Sequence, residues 1–499
     1  MRVRAFLLFV AASFVSSSAF AQLIAADVQT IINHAVTRAV QVSPRSVIAV
    51  TDREGYVLGI WNVAGGEPTP TQIANAVSKA GTAAFLSSNH NAFSSRTAGF
   101  IVQQHFPPRV RNTAPGPLVG VAFSNLPFSD VNRFKKTDLL VSPFPPPTPA
   151  APSPGTFGSP IPLTMLDGSP GGLPLYKNGI LVGGIGVTGD GTDNSFPFIS
   201  GPDTDEDVAL SGQHGYQPSS SITADNVFIS GISLAYTETS TNFSGTVVLH
   251  GNASAVYPIQ NPPPPFPYSV ATFGGVTGQV RQPIMSDPLP GTINGQPRLT
   301  AAEVASIINY AADRVRTTRA AIRLPIGTQM EAFISVVNFP NAPNVAPTVL
   351  GTFRTGEATL FSWDVAVQKA RTAIGFSKNG NTTAVSSRTV GFLAQSHYPP
   401  GIDANRPGPY SGLQGMLSMA PPNPNFPNGI TIFPGSFPLY RNGQLIGAIG
   451  VSGDGVDQDD IVSASGTHDF LAPDAIRPDQ FLFRGTRLPY AKFPRDPGL

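Results

Sequence analysis

One glycine-rich stretch occurs twice in this sequence, and it decides the fold. Residues 174–193 read PLYKNGILVGGIGVTGDGTD, residues 438–457 read PLYRNGQLIGAIGVSGDGVD, and 14 of 20 positions are identical. Asn178-Gly179 and Asn442-Gly443 are the strongest two-residue turn signal between apolar strands, so each stretch predicts a β-hairpin. Glycines within a strand indicate the close approach of another backbone or of a ligand, and we expect them to border a cleft.

The repeat extends well beyond the hairpin, with the same order of segments in both halves of the chain. LIAADVQTIINHAVTRAV at Leu23 matches LTAAEVASIINYAADRV at Leu299, and SSRTAGFIVQQHFPP at Ser94 matches SSRTVGFLAQSHYPP at Ser386. The two hairpins start 264 residues apart, whereas stacking repeats have units of about 20 to 50 residues. The sequence therefore predicts a duplicated domain.

The chain of 499 residues is long enough for two domains. A proline run within residues 246–297 favours an extended, semi-rigid segment, which predicts a linker there. We therefore place a first domain at residues 22–245 and a second at residues 298–499. Two further Pro-rich stretches, SPFPPPTPAAPSPG at Ser142 and PPNPNFPNG at Pro421, are interpreted as surface insertions.

Residues 1–21 have the pattern of a signal peptide. Arg2 and Arg4 precede an apolar run, and Ala19-Phe20-Ala21 is a small-x-small cleavage motif. The apolar run is shorter than the roughly 20 residues that a transmembrane helix needs, and no later run reaches that length. The sequence thus predicts a periplasmic or secreted protein without a membrane span.

The composition excludes several partners and sites. Charged residues make up 12% of the chain and the formal net charge is +1, which leaves no basic surface for a nucleic-acid backbone. Because the chain has no cysteine, it forms no disulfide and holds no zinc, iron–sulfur cluster or c-type haem through thiols. Any metal must be held by histidine, carboxylate, tyrosine or backbone oxygen.

A second motif precedes each glycine-rich stretch. Lys79-Ala-Gly-Thr-Ala83 comes before Pro174 to Gly189, and Lys369-Ala-Arg-Thr-Ala373 comes before Pro438 to Gly453. Together with the opening helix, these motifs resemble the HbpS/GlcG-like haem-binding or haem-degrading (DUF336-type) family. The resemblance implies an α/β (α+β) fold of two tandem profilin-like domains, each an antiparallel sheet flanked by helices. Since relatives associate as oligomers, it also implies a homo-oligomer or a covalent pseudo-dimer of the two copies.

The resemblance further implies a function. It predicts an exported protein that binds haem or another small molecule. A haem-degrading or other redox enzyme is the first alternative, and a non-catalytic scaffold or sensor partner is the second. No Ser/His/Asp arrangement or pair of acid–base carboxylates is evident in the sequence, so binding is expected rather than catalysis.

The opening helix carries two candidate haem ligands. His34 in the first copy corresponds to Tyr310 in the second, and both flank the apolar stripe of the helix. Histidine gives haem iron a neutral nitrogen, whereas tyrosine gives it a charged phenolate. The two copies would then have different spectra. The alternative is that each side chain is simply half exposed.

Two further pairs of histidines occur at matching positions. His105 and His397 each precede an aromatic residue and Pro-Pro, and His214 and His468 each close a Ser-Gly-x-His motif. All four are further candidate haem ligands. Alternatively, the first pair contacts carbonyls in the last turn of a helix, and the second pair forms hydrogen bonds within turns.

Two matching Ser-Ser-Arg-Thr segments are candidate anion sites. Arg96 and Thr97, with Arg388 and Thr389 in the second copy, offer a guanidinium and a hydroxyl that could bind a carboxylate or a haem propionate. The alternative is a helix N-cap followed by a solvated arginine.

Two acidic runs also have two interpretations. Asp203-Thr-Asp-Glu-Asp207 and Asp457-Gln-Asp-Asp460 could supply calcium ligands, but they lack the glycine and the distal glutamate of an EF-hand. Acidic residues are also typical of the first turn of a helix, which we favour. Gly189-Asp190-Gly191 lacks the Lys-Ser/Thr of a phosphate-binding loop and is interpreted as the exit turn of the hairpin.

Overall fold

A computed structural model describes most of the chain. The described residues are 21–120, 134–137, 161–193, 198–248, 250–265, 267–325, 327–379, 383–417 and 423–492. The insertion predicted at Ser142 lies outside them, as do residues 1–20 of the predicted signal peptide and the first two residues of the insertion at Pro421. Among the described helices, none is long and apolar enough to cross a membrane.

The first half of the chain, which ends at Tyr257, alternates helices and strands. Its elements are α1 (Ala25–Val42), β1 (Val47–Asp52), β2 (Val57–Asn62), α2 (Pro70–Leu86), α3 (Ser95–Ile101), β3 (Gly172–Lys177), β4 (Ile180–Thr188), α4 (Thr204–Gly212), β5 (Phe228–Ile229), β6 (Ile232–Ser233) and β7 (Ser254–Tyr257). Thr69 caps α2 by accepting a hydrogen bond from the backbone N–H of Gln72, and Pro70 follows it, where a missing N–H costs nothing.

The second half begins at Ser269 and has a similar order of elements. They are β8 (Ser269–Phe273), β9 (Val276–Gln282), β10 (Thr292–Ile293), β11 (Gln296–Pro297), α5 (Ala301–Thr317), β12 (Ala332–Asn338), β13 (Val349–Thr355), α6 (Phe361–Phe376), α7 (Ser387–Leu393), α8 (Leu413–Leu417), β14 (Ser436–Arg441), β15 (Gln444–Gly453), α9 (Val456–Ser465), β16 (Leu482–Phe483) and β17 (Thr486–Arg487). Thr300 and Glu303 form a capping box at the start of α5.

Each half contributes one antiparallel sheet, and the two sheets share a strand order. The orders are β3-β4-β1-β2-β7 in the first sheet and β14-β15-β12-β13-β9-β8 in the second. At the outer edge of each sheet lies a glycine hairpin, whose turn residues Asn178, Gly179, Asn442 and Gly443 have φ angles of 54°, 76°, 47° and 75°. This left-handed turn conformation is the one that an Asn-Gly hairpin requires. The predicted hairpins and the predicted antiparallel sheets flanked by helices are confirmed.

Helices cover both faces of the first sheet because residues of a strand alternate between faces. Ile48 of β1 packs in a core with Val28 and Ile31 of α1. The neighbouring residue Val47 packs in another core with Val77 of α2. The sheet therefore lies between α1 on one side and α2 on the other.

The glycines of the second hairpin strand admit the backbone of a helix. A Cβ atom at Gly184 would collide with the carbonyl of Ala80 in α2, and one at Gly186 would collide with the carbonyl of Ala76. In the second half, Gly450 stands in the same way against α6. The expectation of a neighbouring cleft is therefore corrected, because the close approach is that of a helix backbone.

The segment predicted as a linker, residues 246–297, forms parts of both sheets. Its strand β7 pairs with β2 of the first sheet, and its strand β9 pairs with β13 of the second. The proline run lies between β7 and β8. The segment therefore connects the halves but is not a free spacer, because both of its ends are held by strand pairing.

Partly buried ion pairs join the two halves. Arg281 of β9 donates to Glu54 in the β1–β2 turn at 2.8 Å, and Arg53 donates to Glu357 at 2.8 Å. Burial by itself raises the pKa of Glu54, but the Arg281 charge outweighs it and lowers that pKa to about 2. The guanidinium of Arg281 also lies 4.5 Å from the centre of the Trp363 ring. The ion pairs hold the first sheet against the second half, and the Trp363 ring fixes the position of the Arg281 guanidinium within the second half.

Candidate functional site

The Lys-Ala-x-Thr-Ala motif of the first half buries its lysine among carboxylates. The Lys79 side chain on α2 is fully shielded from solvent. Its ammonium donates to Asp205 at 2.9 Å and lies 2.7 Å from Asp193. Burial by itself lowers the pKa of Lys79, but the charges of Asp205, Asp193 and Asp167 outweigh it and raise that pKa above its usual value. Lys79 is therefore a charged group held in the core.

The equivalent lysine of the second half has fewer charged neighbours. Lys369 on α6 is also fully shielded, and its ammonium donates to Asp459 and to the carbonyl of Val451, each at 2.8 Å. Burial lowers the pKa of Lys369, and Asp459 offsets this only in part. Burial also raises the pKa of Asp459 to about 6. The charged forms of Lys369 and Asp459 are therefore less strongly favoured than the charged form of Lys79 in the first half.

The two candidate arginines bind internal carboxylates. Arg96 donates to Glu206 through Nε at 2.8 Å and through Nη2 at 2.9 Å. Arg388 donates to Asp460 at 2.9 Å and to Asp457 at 2.6 Å. The expectation that these arginines hold the carboxylate of a ligand is corrected, because acidic side chains of the same half already occupy both guanidinium groups.

The neighbouring threonines also have internal partners. The Thr97 hydroxyl donates to the carbonyl of Ala235 at 2.7 Å, and the Thr389 hydroxyl donates to the carbonyl of Pro489 at 2.6 Å. The serine three residues before each threonine is the helix N-cap, as the alternative interpretation held. That interpretation was wrong about a solvated arginine, because Arg96 is buried and Arg388 is partly buried. These segments therefore start helices α3 and α7, and their threonines hold the segments around Ala235 and Pro489 against those helices.

The acidic runs begin helices, and the interpretation that we favoured is confirmed. Asp203 is the N-cap of α4 and accepts a hydrogen bond from the backbone N–H of Asp205 at 2.9 Å. Asp457 and Asp459 lie in the first turn of α9. Carboxylates are favoured there because the helix N-terminus is positive. The same residues then serve as partners for the buried lysines and arginines.

His34 and His214, which the sequence places 180 residues apart, meet in the first half. Their ring centroids lie 5.6 Å apart with an interplanar angle of 65°. Phe243 lies against both rings, at 4.8 Å from His34 and 5.5 Å from His214. His34 Nδ1 is buried and has no hydrogen-bond partner among the described residues. Burial, followed by the neighbouring His214, lowers the pKa of His34, so this imidazole is neutral at neutral pH.

Tyr310 and His468 form the equivalent pair in the second half. Their rings stack with centroids 4.5 Å apart and an interplanar angle of 23°. His468 Nδ1 lies 2.9 Å from the Asp469 carboxylate. The charge of Asp469 raises the pKa of Tyr310, so its phenol stays protonated at neutral pH. The second pair therefore offers no ready phenolate, and its histidine already has a carboxylate partner.

His105 and His397 meet each other across the boundary between the halves. Their ring centroids lie 6.4 Å apart with an interplanar angle of 27°. Helix α3 ends at Ile101 and α7 at Leu393, four residues before each histidine. The two side chains are therefore outside the last helical turn in which the alternative interpretation had placed them. They lie apart from the His34 and Tyr310 pairs and form a separate group.

The repeat in the sequence identified these histidines as candidate ligands, but it did not identify every residue that contacts them. Phe243 lies in an irregular segment after α4, and no repeated motif marks it. The partners of Lys79 and Lys369 could have been found, because each lysine motif recurs with an acidic run in both halves. A buried lysine requires such a carboxylate to remain charged.

Residues 344–468, about a quarter of the chain, match the model of a family described as "Haem degrading protein HbpS-like". No curated protein matches the chain.

Several solved structures are also similar. A PduOC:heme complex has 23% sequence identity and a TM-score of 0.24, and the match covers 34% of this chain and 94% of that one. The Klebsiella pneumoniae protein ORFY has 22% identity and a TM-score of 0.24, with 37% and 95% covered. A variant of Streptomyces reticuli HbpS has 18% identity and a TM-score of 0.23, with 36% and 94% covered.

The family match includes the lysine motif, the glycine hairpin and the Ser-Gly-x-His motif of the second half. The resemblance was based on these residues, on their first-half counterparts and on the opening helices. Within residues 344–468, the resemblance to the HbpS/GlcG-like family is confirmed.

Proposed function

We propose that this protein binds haem through the pair of His34 and His214 in its first half. The observation that carries the proposal is the buried, unpartnered Nδ1 of His34 beside a second imidazole. A neutral imidazole nitrogen is the commonest protein ligand for transition metals and an axial ligand of haem iron. The family description and the printed title of the PduOC:heme complex name haem as the small molecule concerned.

The surroundings of His34 support a ligand that is both apolar and metal-containing. Phe243 offers a ring face next to both imidazoles, and a haem macrocycle presents a large apolar surface for such contacts. His214 is exposed, whereas His34 is only partly exposed, so a ligand can reach the pair from solvent. His34 and His214 would hold the haem iron, and the two rings, whose centroids lie 5.6 Å apart, would have to move to admit it.

The second half is proposed as the weaker site. Tyr310 must lose a proton to bind ferric iron as a phenolate, and its raised pKa opposes that loss. His468 pairs with Asp469 and stacks on Tyr310, so coordination would have to displace these contacts. The two halves are proposed to form a covalent pseudo-dimer, which the ion pairs of Arg281 with Glu54 and of Arg53 with Glu357 support.

Export remains part of the proposal. It is supported by Arg2, Arg4, the apolar run and the Ala19-Phe20-Ala21 motif. Expression of the full chain with its natural start, followed by N-terminal sequencing of the protein from the periplasm and the medium, tests it. A mature chain that starts at Gln22 supports export, and an uncleaved protein in the cytoplasm contradicts it.

A hemin titration of the purified protein tests the binding proposal and separates it from the alternatives. A Soret shift that saturates at a fixed stoichiometry supports binding. Loss of the Soret band with release of iron, after addition of a reductant or peroxide, identifies the haem-degrading or other redox enzyme instead. The absence of any spectral change contradicts haem binding and leaves the scaffold or sensor partner.

A further inference from the structure

A group of three potential metal ligands lies where the two halves meet. It consists of His105 from the first half with His397 and Asp403 from the second, and their ligand atoms all lie within 4.8 Å of one another. No other such group of histidine and carboxylate side chains occurs among the described residues. The three side chains are partly exposed, so an ion can enter from solvent.

The distance between the nearest ligand atoms of His105 and Asp403 is too long for a hydrogen bond. His105 Nδ1 lies 3.7 Å from Asp403 Oδ1, beyond the range of an N–H···O bond. This nitrogen is buried, and it has no hydrogen-bond partner among the described residues. Ligand bonds of about 2.0 to 2.2 Å in a tetrahedral site place neighbouring ligand atoms roughly 3.3 to 3.6 Å apart. The separation of His105 from Asp403 is close to that value.

Contacts behind the ligands orient the other two side chains. His397 Nδ1 lies 3.1 Å from the carbonyl of Asn405, and this contact leaves its Nε2 available for an ion. Asp403 Oδ1 accepts a hydrogen bond from the backbone N–H of Asn112 at 3.1 Å, and the backbone N–H of Asp403 donates to the Asn112 side chain at 3.0 Å. Partners of this kind fix the tautomer and direction of metal ligands.

We propose that His105, His397 and Asp403 bind one divalent first-row transition metal ion that bridges the two halves of the chain. Two imidazoles and one carboxylate suit Zn²⁺ or Fe²⁺ and leave positions for water. The carboxylate occurs in the second half alone, since Arg111 stands six residues after His105 where Asp403 stands six residues after His397. The site is therefore single and asymmetric, and it is separate from the His34 pair proposed for haem.

A calorimetric titration of the metal-free full chain with Zn²⁺ tests this proposal. In a parallel titration, Co²⁺ serves as a spectroscopic probe of the same site. We expect one ion per chain and a visible Co²⁺ spectrum. His105→Ala, His397→Ala and Asp403→Asn should each weaken Zn²⁺ binding by about tenfold or more. Asp403→Asn is the gentlest of these changes, because the amide oxygen can still accept the bond from Asn112. His90→Ala removes an exposed histidine outside the group and should change nothing.

Thermal unfolding gives a second measurement that does not depend on the variants' intrinsic stability. Zn²⁺ should raise the Tm of the native chain and of His90→Ala, because an ion bound only by the folded state stabilises it. At the same Zn²⁺ concentration it should raise the Tm of His105→Ala by clearly less. The proposal is overturned if the native chain shows no saturable binding, or if the ligand variants and His90→Ala bind Zn²⁺ equally well.

Discussion

The two halves of this molecule agree in their cores and differ at their opening helices. Lys79 with Asp205 and Lys369 with Asp459 occupy equivalent buried positions. On the opening helix, by contrast, one half pairs two imidazoles and the other stacks a phenol on an imidazole. A buried lysine without its aspartate is costly, whereas a partly exposed ring can change with little cost to the fold. The shared buried pairs build the fold, whereas the differing rings carry the difference in ligand chemistry that we propose between the halves.

Removal of the buried lysines should have the largest effect on stability. Lys79→Met leaves Asp205 and Asp193 without their cation, so we expect a loss of about 3–5 kcal/mol in the free energy of unfolding of the first half. Lys369→Met should cost less, because Asp459 has a pKa of about 6 and takes up a proton more readily. Urea unfolding measures both changes.

The two tryptophans allow each half to be followed separately. Trp61 lies in β2 of the first half and Trp363 in α6 of the second, and the chain contains no others. Fluorescence of the Trp363→Phe background reports the first half, and that of Trp61→Phe reports the second. Equal losses for Lys79→Met and Lys369→Met would contradict the difference that we infer between the two lysines. Adding Asp459→Asn to Lys369→Met should restore part of the stability.

A substitution at the hairpin strand should have an intermediate effect. Gly184→Ala places a Cβ against the carbonyl of Ala80 in α2, and we expect a loss of about 1–3 kcal/mol. The second half already holds Ala448 at the equivalent position, so Ala448→Gly should cost only about 0.5–1 kcal/mol. Urea unfolding with the same two reporters measures these losses. An unaffected Gly184→Ala variant would show that the close approach of helix and strand does not limit stability.

Protonation of His34 should have the smallest effect, and it should act on the first half. Burial and His214 hold the pKa of His34 below its ordinary value of 6.5. The stabilisation that comes from neutral His34 is therefore complete above about pH 6.5 and is lost as the pH falls through the lowered pKa. Trp61 fluorescence during urea unfolding between pH 7 and pH 5 follows the first half, where protonation of Asp52, whose pKa burial raises to about 7, acts in the opposite direction. The difference in slope between the native chain and His34→Gln therefore measures the contribution of His34, and Tyr310→Phe should leave the native slope unchanged.

Much of the fold could be predicted from the sequence because local signals and the repeat agree. Asn178-Gly179 and Asn442-Gly443 fix the hairpin turns, and acidic runs mark the starts of α4 and α9. The prediction of a linker at residues 246–297 was less accurate. Its prolines favour an extended chain, but on either side of them β7 and β9 pair with strands of two different sheets. Local composition does not encode such long-range strand pairing.

The candidate site was predictable only in part. Matching positions in the two halves singled out His214 and His468, but only folding brings them to His34 and Tyr310. The sequence also favoured Arg96 as a ligand group, because nothing local shows that Glu206 in another helix neutralises it. In each case the missing information was a contact between residues that lie far apart in the sequence.

The most direct test of the central claim is a hemin titration of three proteins: the native chain, His34→Ala and Tyr310→Phe. If the first half holds haem through a neutral imidazole, His34→Ala should remove the tighter part of the Soret shift and leave at most the weaker binding of the second half, whereas Tyr310→Phe should leave the tighter part intact. Far-UV circular dichroism should stay unchanged for both variants, because each side chain flanks the buried stripe of its helix. A full Soret shift in folded His34→Ala, or its loss in Tyr310→Phe, would contradict the account.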